Sequence, residues 1–258
     1  MTMPTRQLPM RWLHTHEPIN VLLIGAGGNG AEFFDGLMRL HQAMIALGSA
    51  GLQVTVMDDD EVTPSNIVRQ RFWPHEIGEN KAVALASRTN LIMGTTWNAV
   101  PTRFTQKTLT AAGRADLIVT AVDNRKTRHL LGSQDKHDNP FMASTLWLDM
   151  GCDRDKGQVV LGQLGDNDLG DSWPTAAAHF PDLMNDDDPA ADRPSCSAAD
   201  SLSRQDLMIN QTVAGAAINL LWKSLRTGTV PYNGVMIDLA EGSQQAIPFF
   251  PVADQSAA

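Results

Sequence analysis

Ile19-Asn20-Val21-Leu22-Leu23-Ile24-Gly25-Ala26-Gly27-Gly28-Asn29-Gly30 is the stretch on which the fold turns. A short apolar run ends at a glycine, and beyond Gly28 the residues Phe33, Phe34, Leu37, Met38 and Leu40 recur at helical spacing. That order predicts a strand, a tight turn and a helix. Gly25, Gly27 and Gly30 complete a G-x-G-x-x-G pattern at the turn, where backbone amides and the helix dipole can hold phosphate groups. Glycines so spaced can also serve plain strand-to-helix packing, but the strand-turn-helix context favours a nucleotide. A Walker A lysine is absent, which removes the P-loop version of phosphate binding.

Working outward, Leu52 to Met57 reads as a second buried strand and Asn80 to Met93 as a helix with Ala82, Leu85, Ala86 and Met93 on one face. Trp97 to Phe104 is a weaker strand, demoted towards an edge by Pro101. Ala115 to Val122 is a strong buried strand followed by a polar helix from Asn124, and the alternation continues through Ser144 to Met150. The fold class expected is α/β: a Rossmann-like, doubly wound, mostly parallel sheet with its ligand site at the C-terminal strand ends. Three regions follow. Residues 1–164 hold an N-terminal arm and the nucleotide-binding region. Residues 165–194, rich in Asp and Pro with little periodicity, read as an acidic flexible insertion. Residues 195–258 complete the same domain with a helix from about Ser203 and an antiparallel hairpin, Val235 to Ala240 with Gln245 to Phe250.

Bulk properties bound the function. A chain of 258 residues with 43% hydrophobic and 19% charged content can bury a full core. No apolar run reaches the roughly 18 residues of a membrane span, and Arg, His and Pro interrupt Met1 to Glu17 where a secretory signal needs an apolar core; the expectation is a cytoplasmic protein with no membrane partner. A net charge of -9 opposes sequence-independent nucleic-acid binding. The two cysteines, Cys152 and Cys196, cannot form a four-thiolate site, so no zinc is predicted.

The block from Met57 decides the chemistry. Asp58, at the end of the second strand, can accept from ribose hydroxyls, against a reading as one loop carboxylate among Asp59, Asp60 and Glu61. Asp58-Asp59-Asp60-Glu61-Val62-Thr63-Pro64-Ser65-Asn66-Ile67-Val68-Arg69-Gln70, then Gly78-Glu79-Asn80-Lys81, closely resembles the D-x-D-x-V-x-x-S-N-x-x-R-Q and G-x-x-K stretch of the ThiF/MoeB/HesA adenylating enzymes. Asn66, Arg69 and Lys81 bring donors and positive charge suited to the triphosphate of ATP. Asp123-Asn124 matches the family's T-D-N, where the carboxylate can hold Mg2+; the alternative is an N-cap on the next helix. Leu148-Asp149-Met150-Gly151-Cys152 and Ser195-Cys196-Ser197-Ala198-Ala199 extend the resemblance, which covers roughly residues 15 to 250. Within the family, the Asp58 block and Ser203-Arg204-Gln205-Asp206-Leu207-Met208-Ile209-Asn210-Gln211 look like the ThiF-related proteins of PRTRC cassettes.

The resemblance implies ATP-dependent adenylation of the C-terminal carboxylate of a small ubiquitin-like protein, with release of pyrophosphate and room for a later thioester. It implies a nucleotide site of Gly25, Gly27, Gly28, Gly30, Asp58, Asp60, Asn66, Arg69, Gln70, Lys81, Asp123 and Asn124, with Arg69, Lys81 and Asp123 at the reacting phosphates and Mg2+ on Asp123. Cys196 is the candidate thioester nucleophile, against a reading as a loop cysteine, while Cys152 follows an apolar run and reads as a buried structural thiol. A homodimer is also implied; homodimeric members of the family use an N-terminal arginine of the partner subunit near the triphosphate, in a motif that is missing here, with Arg6 or Arg11 as candidates. Paired C-x-x-C zinc ligands are missing. Two other readings stand beside this one: a NAD-dependent oxidoreductase, for which the glycine loop and Asp58 would suffice, and a catalytically inactive subunit that binds a ubiquitin-like protein.

Overall fold

Alternate side chains of the run Ile19 to Ile24 go to opposite layers. Val21 and Leu23 enter a large core on one face of a sheet, and Leu22 and Ile24 a smaller core on the other. That period of two is what a strand buried on both faces requires. The computed structural model describes residues 4–14, 16–112, 114–123, 125–133, 141–164, 173–184 and 205–250.

In chain order the elements are β1 Arg6–Gln7, α1 Met10–Leu13, β2 Ile19–Ile24, α2 Gly28–Ala46, β3 Leu52–Met57, α3 Lys81–Met93, β4 Asn98–Val100 and α4 Gln106–Ala112. They continue with β5 Leu117–Thr120, α5 Arg125–Gly132, β6 Leu146–Cys152, β7 Lys156–Gln163, α6 Ala176–His179, α7 Ile209–Thr227, β8 Thr229–Val230, β9 Gly234–Asp238 and β10 Ser243–Ile247. Among the described residues the main sheet has eight strands in the order β10-β9-β7-β6-β5-β2-β3-β4. β6, β5, β2, β3 and β4 run parallel, and β7, β9 and β10 extend the sheet antiparallel. This is the mixed α/β, Rossmann-like architecture the alternating pattern predicts.

From β2 the chain moves outward through β3 to β4, then returns to place β5 on the other flank of β2. The order therefore reverses between β2 and β5, and a crevice opens at their C-terminal ends. Two glycines allow it. Gly25 has φ +94°, and a Cβ there would stand 2.6 Å from the Ala121 carbonyl oxygen. A Cβ on Gly30 would run into the Gly25 carbonyl, so only glycine lets α2 start this close to the strand end.

α2, α3 and α7 cover the large core through Phe33, Phe34, Leu37, Ala82, Leu85, Val213, Ala217 and Leu220, and α4 and α5 cover the small one with Leu109 and Leu131. α3 starts where predicted because the Asn80 side chain accepts from the Val83 amide, and it stops at Gly94 in the left-handed conformation. Trp97 to Phe104 shrinks to the edge strand β4, consistent with the missing donor at Pro101. The C-terminal hairpin lies slightly earlier than predicted, turning at Gly242 with φ +64°.

The expectation of a loose acidic insertion over 165–194 is corrected at residues 173–184. Trp173 is buried; its indole donates to the Leu161 carbonyl at 2.7 Å and meets the Phe249 ring edge-on. Asn233 donates to the Pro174 carbonyl at 3.0 Å and its side-chain oxygen bonds His179. One large aromatic anchor outweighs the polar composition around it. Residues 165–172 and 185–194 lie outside the described residues. No helix among the described residues is long and apolar enough to cross a membrane.

Among the described residues one ion pair sits wholly inside. Arg128 of α5 donates to Asp149 of β6 at 2.7 Å, both side chains buried, and Thr120 donates to the same carboxylate oxygen at 2.5 Å. Arg128→Met strands a carboxylate in the core and is expected to cost about 3–5 kcal/mol. Arg128→Met/Asp149→Leu is expected to regain much of that loss. Urea midpoints of the two variants check the ordering.

Candidate active site

The site begins with backbone. Gly27 precedes α2 and supplies no side-chain cap, so the amides of the first turn face outward from the β2 end. Gly25, Gly27 and Gly28 line a cavity of ≈ 360 Å³ at the ends of β2, β3 and β5. A Cβ on Gly27 would meet open space, which marks that position as facing the cavity. Gly30, predicted as a phosphate contact, is instead the packing glycine beneath Gly25 and does not line the cavity.

Asp58 lines the cavity from the end of β3. Its Oδ2 accepts the Ala26 amide at 2.6 Å and its Oδ1 the Asp60 amide at 2.8 Å. Burial raises the Asp58 pKa above its ordinary 3.8, and the two amides and Lys81 pull it partly back.

Asp60, Arg69, Gln70 and Lys81 are distant in sequence and converge because their loop is closed at its neck. The Val62 amide bonds the Glu79 carbonyl at 2.8 Å, the Gly78 amide the Val62 carbonyl at 2.9 Å, and the Lys81 amide the Asp60 carbonyl at 2.9 Å. Asn80 adds side-chain donations to the carbonyls of Asp58 and Asp60. Lys81 Nζ then reaches Asp60 Oδ2 at 2.8 Å, its stem buried and its head at the cavity. Arg103, following β4, pairs with Asp59 at 3.1 Å on the same rim.

Asn66 is placed differently from the prediction. It does not line the cavity; its side-chain oxygen accepts the Thr63 amide at 2.9 Å and its carbonyl accepts the amides of Arg69 and Gln70. Its effect on a ligand passes through the turn that presents Arg69 and Gln70. Arg69 Nη1 donates to the side-chain oxygens of Gln205 and, at 2.6 Å, of Asn210.

Asp123 lies just beyond β5, exposed and lining the cavity. The carboxylates of Asp58, Asp59 and Asp60 also lie within 4.8 Å of one another, but two of their oxygens already hold Arg103 and Lys81. Asn124 and Cys196 lie outside the described residues.

Asn29, Cys152, Gln205 and Asn210 also line the cavity and were not among the predicted ligands. Cys152 corrects the reading of a purely structural thiol, since it lines the cavity and accepts from Asn210 and Gln205 at 3.3 and 3.4 Å. Burial pushes its thiol pKa up, with Asn29 and Arg69 opposing. Gln205 and Asn210 lie in the Ser203 to Gln211 stretch that carried part of the resemblance, the only sequence signal that could have marked them. Both arm arginines have partners within the chain. Arg11 bonds the Pro18 carbonyl and Asp116, and Arg6 bonds the Phe250 carbonyl and covers the Phe249 ring.

A family model described as "ThiF family" matches residues 12–256. No curated protein sequence matches the chain. Among solved structures, selenomethionyl PaaA is similar with a TM-score of 0.62 and 16% identity, covering 94% of this chain and 68% of that one. E. coli MccB with ATP is similar with a TM-score of 0.61 and 16% identity, covering 96% of this chain and 69% of that one. E. coli MccB with MccA-N7isoASN gives a TM-score of 0.59 at 16% identity, covering 96% and 69%. At such identities the likeness is one of fold.

The raised pKa of Asp58 has a definite sign in stability. A carboxyl that holds its proton more tightly folded than unfolded contributes most below its unfolded pKa, and the contribution fades as pH rises through the folded value. The melting temperature of the wild type minus that of Asp58→Asn is therefore expected to fall from pH 4 to pH 7. Thermal melts of both proteins across that range provide the check.

Proposed function

The chain belongs to the ThiF family, whose reaction is adenylation of a substrate carboxylate, and on that premise we propose that its cavity holds ATP and activates the C-terminal carboxylate of a small ubiquitin-like protein. The observation that carries this reading is the convergence, on one ≈ 360 Å³ cavity at the strand reversal, of the glycine-loop amides, Arg69, Lys81 and Asp123. Amides at a helix N-terminus suit phosphates, and two cations from the 58–81 loop suit the charge on a triphosphate. E. coli MccB, which shares the fold, is described with ATP and also with AMPCPP and MccA. That a nucleotide and a second molecule meet on this fold supports a protein or peptide carboxylate as the acceptor here.

The chemistry asks little of acids and bases. A carboxylate oxygen of the substrate attacks the α-phosphorus, the bond from that phosphorus to the bridging oxygen breaks, and pyrophosphate leaves with the electron pair. Negative charge grows on the leaving oxygens, and Arg69 and Lys81 oppose it. Lys81 already pairs with the largely exposed Asp60, so the triphosphate competes with that carboxylate for it. Asp123 fits as the ligand of Mg2+, which when bound neutralises phosphate charge. If a thioester follows, a thiol attacks the acyl carbon and AMP departs; Cys196 is the sequence candidate and Cys152 the thiol at the cavity. The protein acts as a cytoplasmic homodimer in this proposal, with a partner of the kind that PRTRC cassettes encode.

Asp60, Arg69 and Lys81 distinguish this reading from a nicotinamide dehydrogenase, which has no use for two cations facing a leaving pyrophosphate. ATP–pyrophosphate exchange is expected only when a small Gly-terminated protein from the same source is added. Arg69→Ala and Lys81→Ala are each expected to slow it about 10²-fold or more, and Asp123→Ala to raise the magnesium concentration required. Absence of exchange, together with tight NAD binding, would refute the proposal.

A further inference from the structure

α7 enters the nucleotide cavity through two amides, Gln205 just ahead of its first turn and Asn210 within it. Both grip the same atom, Arg69 Nη1. Asn210 is 2% exposed and is itself held, donating to Asn29 Oδ1 at 2.8 Å and to Cys152 Sγ at 3.3 Å. Gln205 donates to the same sulfur at 3.4 Å. The Asn210 amide lies against the glycine loop so closely that a Cβ on Gly28 would overlap it.

This arrangement has a physical purpose. Burial lowers the Arg69 pKa, so the site must supply polar partners to keep the guanidinium there. Arg71 of the same loop and Arg88 of α3 are gripped by the carboxylates of Asp35 and Glu76. The acceptors reaching Arg69 from α7 are neutral amides, which orient the guanidinium without adding a negative charge where phosphate must approach. A long, flexible arginine held in advance loses less entropy when it binds.

We propose that Gln205 and Asn210 are positioning residues for ATP, acting through Arg69, so that the geometry of the triphosphate subsite is set by α7 as well as by the 58–81 loop. The inference rests on the reading of this cavity as an ATP site. Its prediction is energetic coupling: removing the Gln205 amide matters only while Arg69 is present.

The test is a double-mutant cycle on ATP affinity, measured by calorimetry with magnesium on the full chain. Gln205 is the residue to change, being half-buried where Asn210 is enclosed, and urea midpoints establish that each variant folds. Gln205→Ala is expected to weaken ATP binding about tenfold, the scale of one hydrogen bond to a charged group. Arg69→Ala is expected to weaken it at least as much, and Arg69→Ala/Gln205→Ala no further than Arg69→Ala alone. Additive losses in the double variant, or unchanged ATP affinity in either single variant, would overturn the positioning role while leaving the ATP site standing. A wild type that does not bind ATP would overturn the function proposed above and this inference with it.

Discussion

Asp58 joins two strand ends. One oxygen receives the amide of Ala26 in the loop after β2, and the other the amide of Asp60 in the loop after β3. Because Gly27 precedes α2 without a side-chain cap, the first turn takes its place from this carboxylate and from the close approach of Gly30 to Gly25. A buried carboxylate is costly, and it is retained where its charge is met by backbone donors. The floor of the cavity and the start of the 58–81 loop are thus one hydrogen-bonded unit, and the rim charges inherit its position.

Above that floor the acidic run balances the cations around it. Asp59 holds Arg103, Asp60 holds Lys81, and Asn80 ties the carbonyls of Asp58 and Asp60 to the head of α3. Lys81 and Arg103 are therefore held at the cavity by local acids that a stronger anion can displace. Arg69 is steadied by the amides of Gln205, just ahead of α7, and Asn210 within it. The site draws on both ends of the chain, with the large core formed by α2, α3 and α7 as the frame between them.

The same core explains the behaviour of the region after β7. Trp173 returns the chain to the sheet and packs against Phe249, while Asn233 ties Pro174 and His179 to the start of β9. Arg6 completes this corner by covering Phe249 and bonding the Phe250 carbonyl. The N-terminal arm is consequently part of the folded domain, and its arginines stabilise their own chain.

Much of this was legible in the residues themselves. Apolar runs of strand length, the helical spacing of Phe33, Phe34 and Leu37, and the glycines after Ile24 specify local conformation, and local conformation is governed by short-range sterics and burial that a linear pattern records. The Asp58 to Lys81 block likewise marked a group of residues that line the cavity, Asp58, Asp60, Arg69, Gln70 and Lys81, because one loop carries them together in the chain. What the linear pattern could not carry was contact across long separations. Asn66 turned out to brace a turn, Gly30 to pack under a carbonyl, Trp173 to anchor a stretch that looked loose, and Gln205 and Asn210 to meet both Arg69 and Cys152 from far away in sequence. Side-chain amides and single thiols have no periodicity and bond equally well to water, so only the packed arrangement of β6 and α7 against the glycine loop decides where they point.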